Sequence, residues 1–214
     1  MTDLRNVFWI GGGTGAGKSS VAIALARRHR LERYDYDWHD ARGHSTRTRA
    51  DRHPVRAAVL AMSVDERWVR RTPAAMASET IAQFRERFEL VVEDLAVLRA
   101  DRVIADGFGL LPELVAPLLA DRRQAIFLLP TAVFREEALA RRGWVTIEGT
   151  TDPDRARRTR LERDARLTKY VRRTALSRDL AAVVIDGSRT LEEVSALVER
   201  HFGLTDDALV VVSP

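Results

Sequence analysis

The chain contains no cysteine, which excludes a disulfide framework, a thiol nucleophile and a cysteine-based zinc site. Lysine is almost as scarce: of 35 basic residues only Lys18 and Lys169 are lysines, and the rest are arginines. No apolar run approaches the roughly 20 residues needed to cross a bilayer. There is no internal repeat and no low-complexity linker. Met1-Thr2-Asp3-Leu4-Arg5 leads straight into a short apolar run, so the expectation is a soluble, cytoplasmic protein without a signal peptide. One-sided charge is missing too. The net charge of +4 is the small difference between 35 basic and 31 acidic residues, so the arginines read as local ligands for phosphorylated molecules rather than as a nucleic-acid face. What remains is 214 residues of ordinary globular composition, 45% hydrophobic, enough for one α/β domain with a sizeable core.

One of the two lysines stands in the most informative stretch. Gly12-Gly13-Thr14-Gly15-Ala16-Gly17-Lys18-Ser19 fits the phosphate-binding pattern G-x-x-x-x-G-K-[ST], the Walker A motif, at every fixed position. It follows the apolar Val7–Ile10 and precedes a helical pattern from Val21 to Arg28, the strand–loop–helix setting the motif requires. Glycines let the backbone wrap an anion without Cβ clashes. Their N–H groups and the following helix start then converge on phosphate oxygens. Lys18 is the compact cation for the β- and γ-phosphates, Ser19 presents its hydroxyl to Mg²⁺, and Ser20 completes the nucleotide-binding set.

Strand-length apolar runs alternate with helical patterns, which predicts a parallel sheet covered on both faces. The strands are expected at Val7–Ile10, Leu31–Asp35, Arg102–Asp106, Gln124–Leu129 and Ala182–Ile185. Helices are expected at about Pro73–Arg99, Pro112–Ala120, Thr131–Arg142 and Asp152–Leu180. A last one begins with the capping box Thr190-Leu191-Glu192-Glu193. The tail holds an apolar run, Ala208–Val212, that suits an edge strand or core packing.

Ligands of open parallel sheets sit at the carboxyl ends of the strands. Three strand ends carry candidate chemistry. After the second, Asp35 and Asp37 are candidate acceptor-site carboxylates, with Asp37 the first choice for a general base. After the third, Asp106 matches the loose Walker B pattern and would support Mg²⁺, while Gly107 and Gly109 would let a substrate approach the backbone. After the last, Asp186-Gly187-Ser188 suits a loop passing over a purine base. Residues 38–72 read as a substrate-binding insertion. Arg42 is the candidate substrate contact there, and its neighbours include Arg47, Arg49, Arg52 and Arg56. His44 and His53 lack metal-type spacing and are expected to be solvated. Residues 143–168 read as an arginine-rich lid, with Arg157 and Arg160 chosen on position alone as stabilisers of the transferring phosphoryl. Asp154–Arg158 and Glu162–Arg166 have i,i+4 spacing, so many of these arginines are expected to be structural.

Together these features resemble the P-loop small-molecule kinases, the group of nucleoside-monophosphate, shikimate and gluconate kinases and chloramphenicol phosphotransferase. The resemblance runs from about Asn6 to Phe202, and only the phosphate loop is highly specific. It implies a three-layer P-loop NTPase fold, a five-stranded parallel sheet in the order 2-3-1-4-5, ATP as donor and Mg²⁺ as cofactor. Asp35 and Asp37 look like the acceptor carboxylates of the shikimate kinase and chloramphenicol phosphotransferase branches. The chain departs from adenylate kinase in lacking its substrate-binding arginine motif, and from shikimate kinase in having Asp106-Gly107 where a double glycine is usual. The expected function is phosphoryl transfer from ATP to a hydroxyl of a small molecule. The alternatives are a nucleoside or nucleotide kinase, or a non-kinase P-loop NTPase with a nucleotide-sensing or nucleic-acid-associated role. Neither membrane nor nucleic-acid partners are expected.

Overall fold

The computed structural model describes residues 4–143 and 147–205. Five strands form one all-parallel sheet: β1 (Val7–Gly12), β2 (Glu32–Asp35), β3 (Val103–Asp106), β4 (Ala125–Pro130) and β5 (Ala181–Ile185). Their order is β2-β3-β1-β4-β5, the order the resemblance implies. The helices are α1 (Lys18–His29), α2 (Tyr36–His39), α3 (Ser45–Arg47), α4 (Pro54–Ala61), α5 (Val64–Trp68), α6 (Pro73–Val97), α7 (Pro112–Val115), α8 (Ala132–Arg141), α9 (Pro153–Leu176) and α10 (Leu191–Phe202). No helix among the described residues is long and apolar enough to cross a membrane. The Ala208–Val212 run lies outside the described residues.

Alternation along β1 divides the core. Trp9, Tyr34 and Phe127 face α6 and α9, whose Phe84, Phe88, Val91 and Val171 cover them. Ile10, Ile104 and Ile126 face the other way, towards Leu25 of α1 and Val198 of α10. Burial on both faces explains why β1, β3 and β4 read as apolar runs. The register aligns the strand ends that matter: Asp35 lies beside Asp106, Ile10 beside Asp106, and Gly12 beside Leu128.

Helix boundaries follow local chemistry with two departures. The expected helix at Pro112–Ala120 stops at Val115 and tightens into a short turn over Ala116–Leu118. Pro117 explains this, because its ring removes an N–H and obstructs the preceding turn. The helix expected to reach Leu180 ends at Leu176, and Asp179 takes a left-handed φ of 55° to reverse the chain into β5. Elsewhere the caps are those expected. Asp152 accepts from the Arg155 amide, and Thr190 and Glu193 form their reciprocal capping box.

Candidate functional site: the phosphate-loop cavity

The phosphate loop is moulded against β4. Gly12 adopts φ 128°, and a Cβ there would stand 2.0 Å from the Leu128 carbonyl oxygen. A Cβ on Gly13 would meet Pro130 at 2.6 Å and the Thr168 hydroxyl at 2.7 Å. The Gly13 amide donates to the Leu128 carbonyl at 2.9 Å. Gly15 and Gly17 both sit at φ 80°, a conformation that is strained for residues with a Cβ. Gly17 is also the left-handed N-cap of α1, so the loop passes directly into the helix start, where amide N–H groups are left without helical partners. Lys18 lies almost wholly buried, its Nζ donating to the Gly13 carbonyl at 2.9 Å. Burial lowers its ammonium from the ordinary value, and Asp37 and Asp106 act against that.

A cavity of ≈ 400 Å³ opens over this loop, walled by Thr14 to Ser19, Asp35, Asp37, Trp38, Phe108, Arg142, Arg160 and Arg163. The fold thus brings together residues expected on three separate grounds: the phosphate loop, the carboxylates after β2 and the arginines of α9. Asp35 and Asp37 differ in what they are free to do. Asp35 caps α2 through the Trp38 amide at 3.1 Å and pairs with Arg33 at 2.9 Å. Among the described residues Asp37 accepts from the Phe108 amide alone, at 3.1 Å. Desolvation in the cleft raises its carboxyl above the ordinary value, with Lys18 and the Phe108 amide pulling the other way.

Other expected residues lie elsewhere. Asp106 is fully buried and does not line the cavity, because Arg33 from the neighbouring strand takes both its oxygens at 2.7 and 3.0 Å. The space beside Gly107 and Gly109 is filled by Tyr36, whose side chain a Cβ would meet at 2.4 and 2.2 Å. These glycines therefore serve the packing of an aromatic ring rather than the approach of a substrate. Arg42 is exposed and stacks on Trp38 at 5.1 Å. Arg157 stands outside the cavity wall, 3.9 Å from Glu136. Of the two i,i+4 pairs, only Glu162–Arg166 forms among the described residues, at 2.9 Å. His44 and His53 are buried, not solvated. His44 meets Asp94 at 2.8 Å, and His53 meets Glu89 at 3.1 Å.

A further cavity of ≈ 230 Å³ leads from Gly15 and Ser20 past Phe134 to Arg189 and Leu191. Asp186 and Ser188 are not on its wall. Asp186 accepts from the Ser188 amide at 3.0 Å and hydroxyl at 2.6 Å, closing an exposed turn on itself. Gly187 lies beside Phe134, 3.2 Å from where its Cβ would be.

Phe108, Arg142 and Arg163 are cavity residues that the sequence reading missed. Phe108 had a signal, since it directly follows the strand-end Asp106-Gly107. Arg163 is one arginine among several on α9, and only the helix phase selects it.

No protein-family model matches this chain, and no curated protein matches it in sequence. Solved structures do match its fold. A deoxyadenosine kinase from M. mycoides aligns at 13% identity over 92% of this chain and 99% of that one, with TM-score 0.52. A Thermus thermophilus protein aligns at 17% identity over 93% and 97%, with the same TM-score of 0.52. The chain has the fold of the P-loop small-molecule kinases. At these identities the likeness covers the fold alone.

Proposed function

We propose that this protein is an ATP-dependent phosphotransferase that moves the γ-phosphoryl to a hydroxyl of a small molecule. One observation carries the reading: Asp37, a carboxylate with one oxygen unpartnered among the described residues and a raised pKa, shares one cavity with the phosphate loop and Lys18. A carboxylate at that place can take the proton of an acceptor hydroxyl or of a water, and acceptor-dependent ADP formation separates transfer from hydrolysis.

In this reading the loop amides and Lys18 hold the β- and γ-phosphates. Asp37 accepts the proton of the acceptor hydroxyl as that oxygen bonds to the γ-phosphorus. The bond from the γ-phosphorus to the bridging oxygen breaks, and ADP leaves with the electron pair. Arg160 and Arg163, on the cavity wall, meet the charge spread over the transferring oxygens. The residues fit a magnesium ion shared with the nucleotide. Ser19 offers a hydroxyl at the cavity, and Asp35 stands on the same wall. Among the described residues there is no group of three or more metal-ligating side chains, so the nucleotide's own oxygens would supply the other ligands, as is usual for Mg²⁺. When bound, the ion neutralises the phosphates between donor and acceptor.

A nucleoside or nucleotide acceptor is the second reading, favoured by the deoxyadenosine kinase among the structural neighbours. A screen of ATP consumption with nucleosides, nucleotides, sugar acids and aminoglycoside- or phenicol-type alcohols tests the proposal. Acceptor-dependent ADP formation is expected for one of these classes. Nucleotide hydrolysis stimulated only by RNA or DNA would favour the nucleic-acid-associated alternative instead.

A further inference from the structure

Part of α9 is packed against the phosphate loop. A Cβ on Gly13 would stand 2.7 Å from the Thr168 hydroxyl. That hydroxyl donates to the Asp164 carbonyl at 2.9 Å and accepts from Arg135 Nη2 of α8, also at 2.9 Å. One turn back along the helix, the Asp164 side chain is wholly buried. The nearby Glu162 is exposed and pairs with Arg166, so it answers charge on the outer face. Asp164 is the carboxylate of the inner face.

Arg163 donates twice to one oxygen of Asp164, from Nε at 2.9 Å and from Nη2 at 2.6 Å. Adjacent residues of a helix do not face each other, so the Arg163 side chain bends across the helix to make this contact. Its guanidinium also lies over the Trp68 ring, 5.0 Å from the centroid. Held by a carboxylate and an indole, Arg163 stands on the wall of the phosphate cavity. It also borders an adjoining cavity of ≈ 260 Å³, built mainly from α4, α5 and α6.

Two more cations feel the same carboxylate. Burial lowers the Arg135 and Arg160 guanidinia from the ordinary value, and in each Asp164 is the first charge acting against it. The second Asp164 oxygen has no hydrogen-bond partner among the described residues. A wholly buried carboxylate left half-satisfied is costly, and an apolar side chain would serve packing as well. What a carboxylate adds is a fixed direction for its arginine. A guanidinium aimed in advance needs no reorganisation when phosphate charge arrives.

We infer that Asp164 is a positioning residue that holds the Arg163 guanidinium at the phosphate cavity, aimed at the γ-phosphate of a bound nucleotide. The transfer step this would serve rests on the phosphotransferase reading above; the hold on Arg163 rests on the ion pair itself.

Nucleotide calorimetry tests it. ADP and a non-hydrolysable ATP analogue, each with Mg²⁺, are titrated separately onto the full chain. Asp164→Asn keeps the shape of the side chain and removes its charge. This variant is expected to bind the analogue fivefold or more weakly than wild type, and ADP less than twofold more weakly. Equal weakening of both ligands would mark a purely structural carboxylate and overturns the proposal, as does a folded variant that binds the analogue like wild type. In an Arg163→Gln background the same substitution should cost less than a further twofold. The full loss in that background would show that Asp164 does not act through Arg163, and overturns the proposal too. Should Asp164→Asn fail to fold in circular dichroism melts, Arg163→Lys decides, because it keeps the charge and loses the forked hold. Selective weakening of the analogue is again expected, and unchanged analogue binding overturns the proposal. Absence of acceptor-dependent ADP formation would sink the phosphotransferase reading and leave this comparison of nucleotides intact. A protein that binds neither nucleotide sinks both.

Discussion

The phosphate loop and the segment at residues 38–72 border two adjoining cavities, yet they are held by different means. The loop is fixed by backbone: glycine conformations, the Gly13 amide on Leu128 and the Lys18 ammonium on Gly13. The insertion is fixed by side chains that reach a row of acids on α6. His44 and Arg47 meet Asp94, Arg47 also meets Glu93, and Arg52 and His53 meet Glu89. The two amides at the start of α4 meet Glu86. A backbone cradle recognises phosphate whatever side chains surround it, whereas a surface assembled from paired charges changes with each substitution.

The contrast can be broken first on the backbone side. Lys18→Ala is expected to lower kcat/KM by about 10³-fold, the scale of losing a charge-stabilising donor, measured by steady-state ADP release. Asp37→Asn should lower kcat by about 10²-fold with the KM for ATP little changed. A base works deprotonated, so activity falls as pH drops through its pKa. Because the Asp37 carboxyl is raised, the acid limb of the kcat/KM profile should lie above the ordinary carboxylate value of 3.8 and vanish in Asp37→Asn. Gly109→Ala tests the junction between the halves. Its new methyl would press on the Tyr36 ring, and a loss of about 2 kcal/mol is expected in urea unfolding.

The smallest effect belongs to the insertion clamp. Desolvation lowers the His44 and His39 pKa values, with Asp94 opposing it. Groups with a depressed folded pKa stabilise the fold above the unfolded value and lose that contribution as pH falls. The melting temperature should therefore decline as pH drops below about 6.5, and His44→Gln should make the decline shallower. An unchanged slope would mean that the clamp is not what titrates.

The same division sets what was legible in the sequence. The strands, the phosphate loop and the caps at Asp152 and Thr190 depend on neighbours in the chain, and all are readable there. The short helices between Tyr36 and Trp68 are not. They owe their placement to charges paired across some 30 to 50 positions, such as His44 with Asp94 and His53 with Glu89. The capture of Asp106 by Arg33 is a cross-strand contact set by register, and a strand-end aspartate alone does not reveal which neighbour will claim it. Arg160 faces the cavity and Arg157 does not, although both sit in the same arginine-rich stretch. Helix phase against the sheet separates them, and no local pattern encodes it.

The fate of the γ-phosphoryl decides whether the protein transfers it to an acceptor or releases it to water. The protein is incubated with γ-labelled ATP, Mg²⁺ and the acceptor panel, and label is followed into organic phosphate ester and into inorganic phosphate. Label in an ester, dependent on both Lys18 and Asp37, is expected. Label appearing only in inorganic phosphate, at a rate indifferent to every acceptor and to Asp37→Asn, would contradict it.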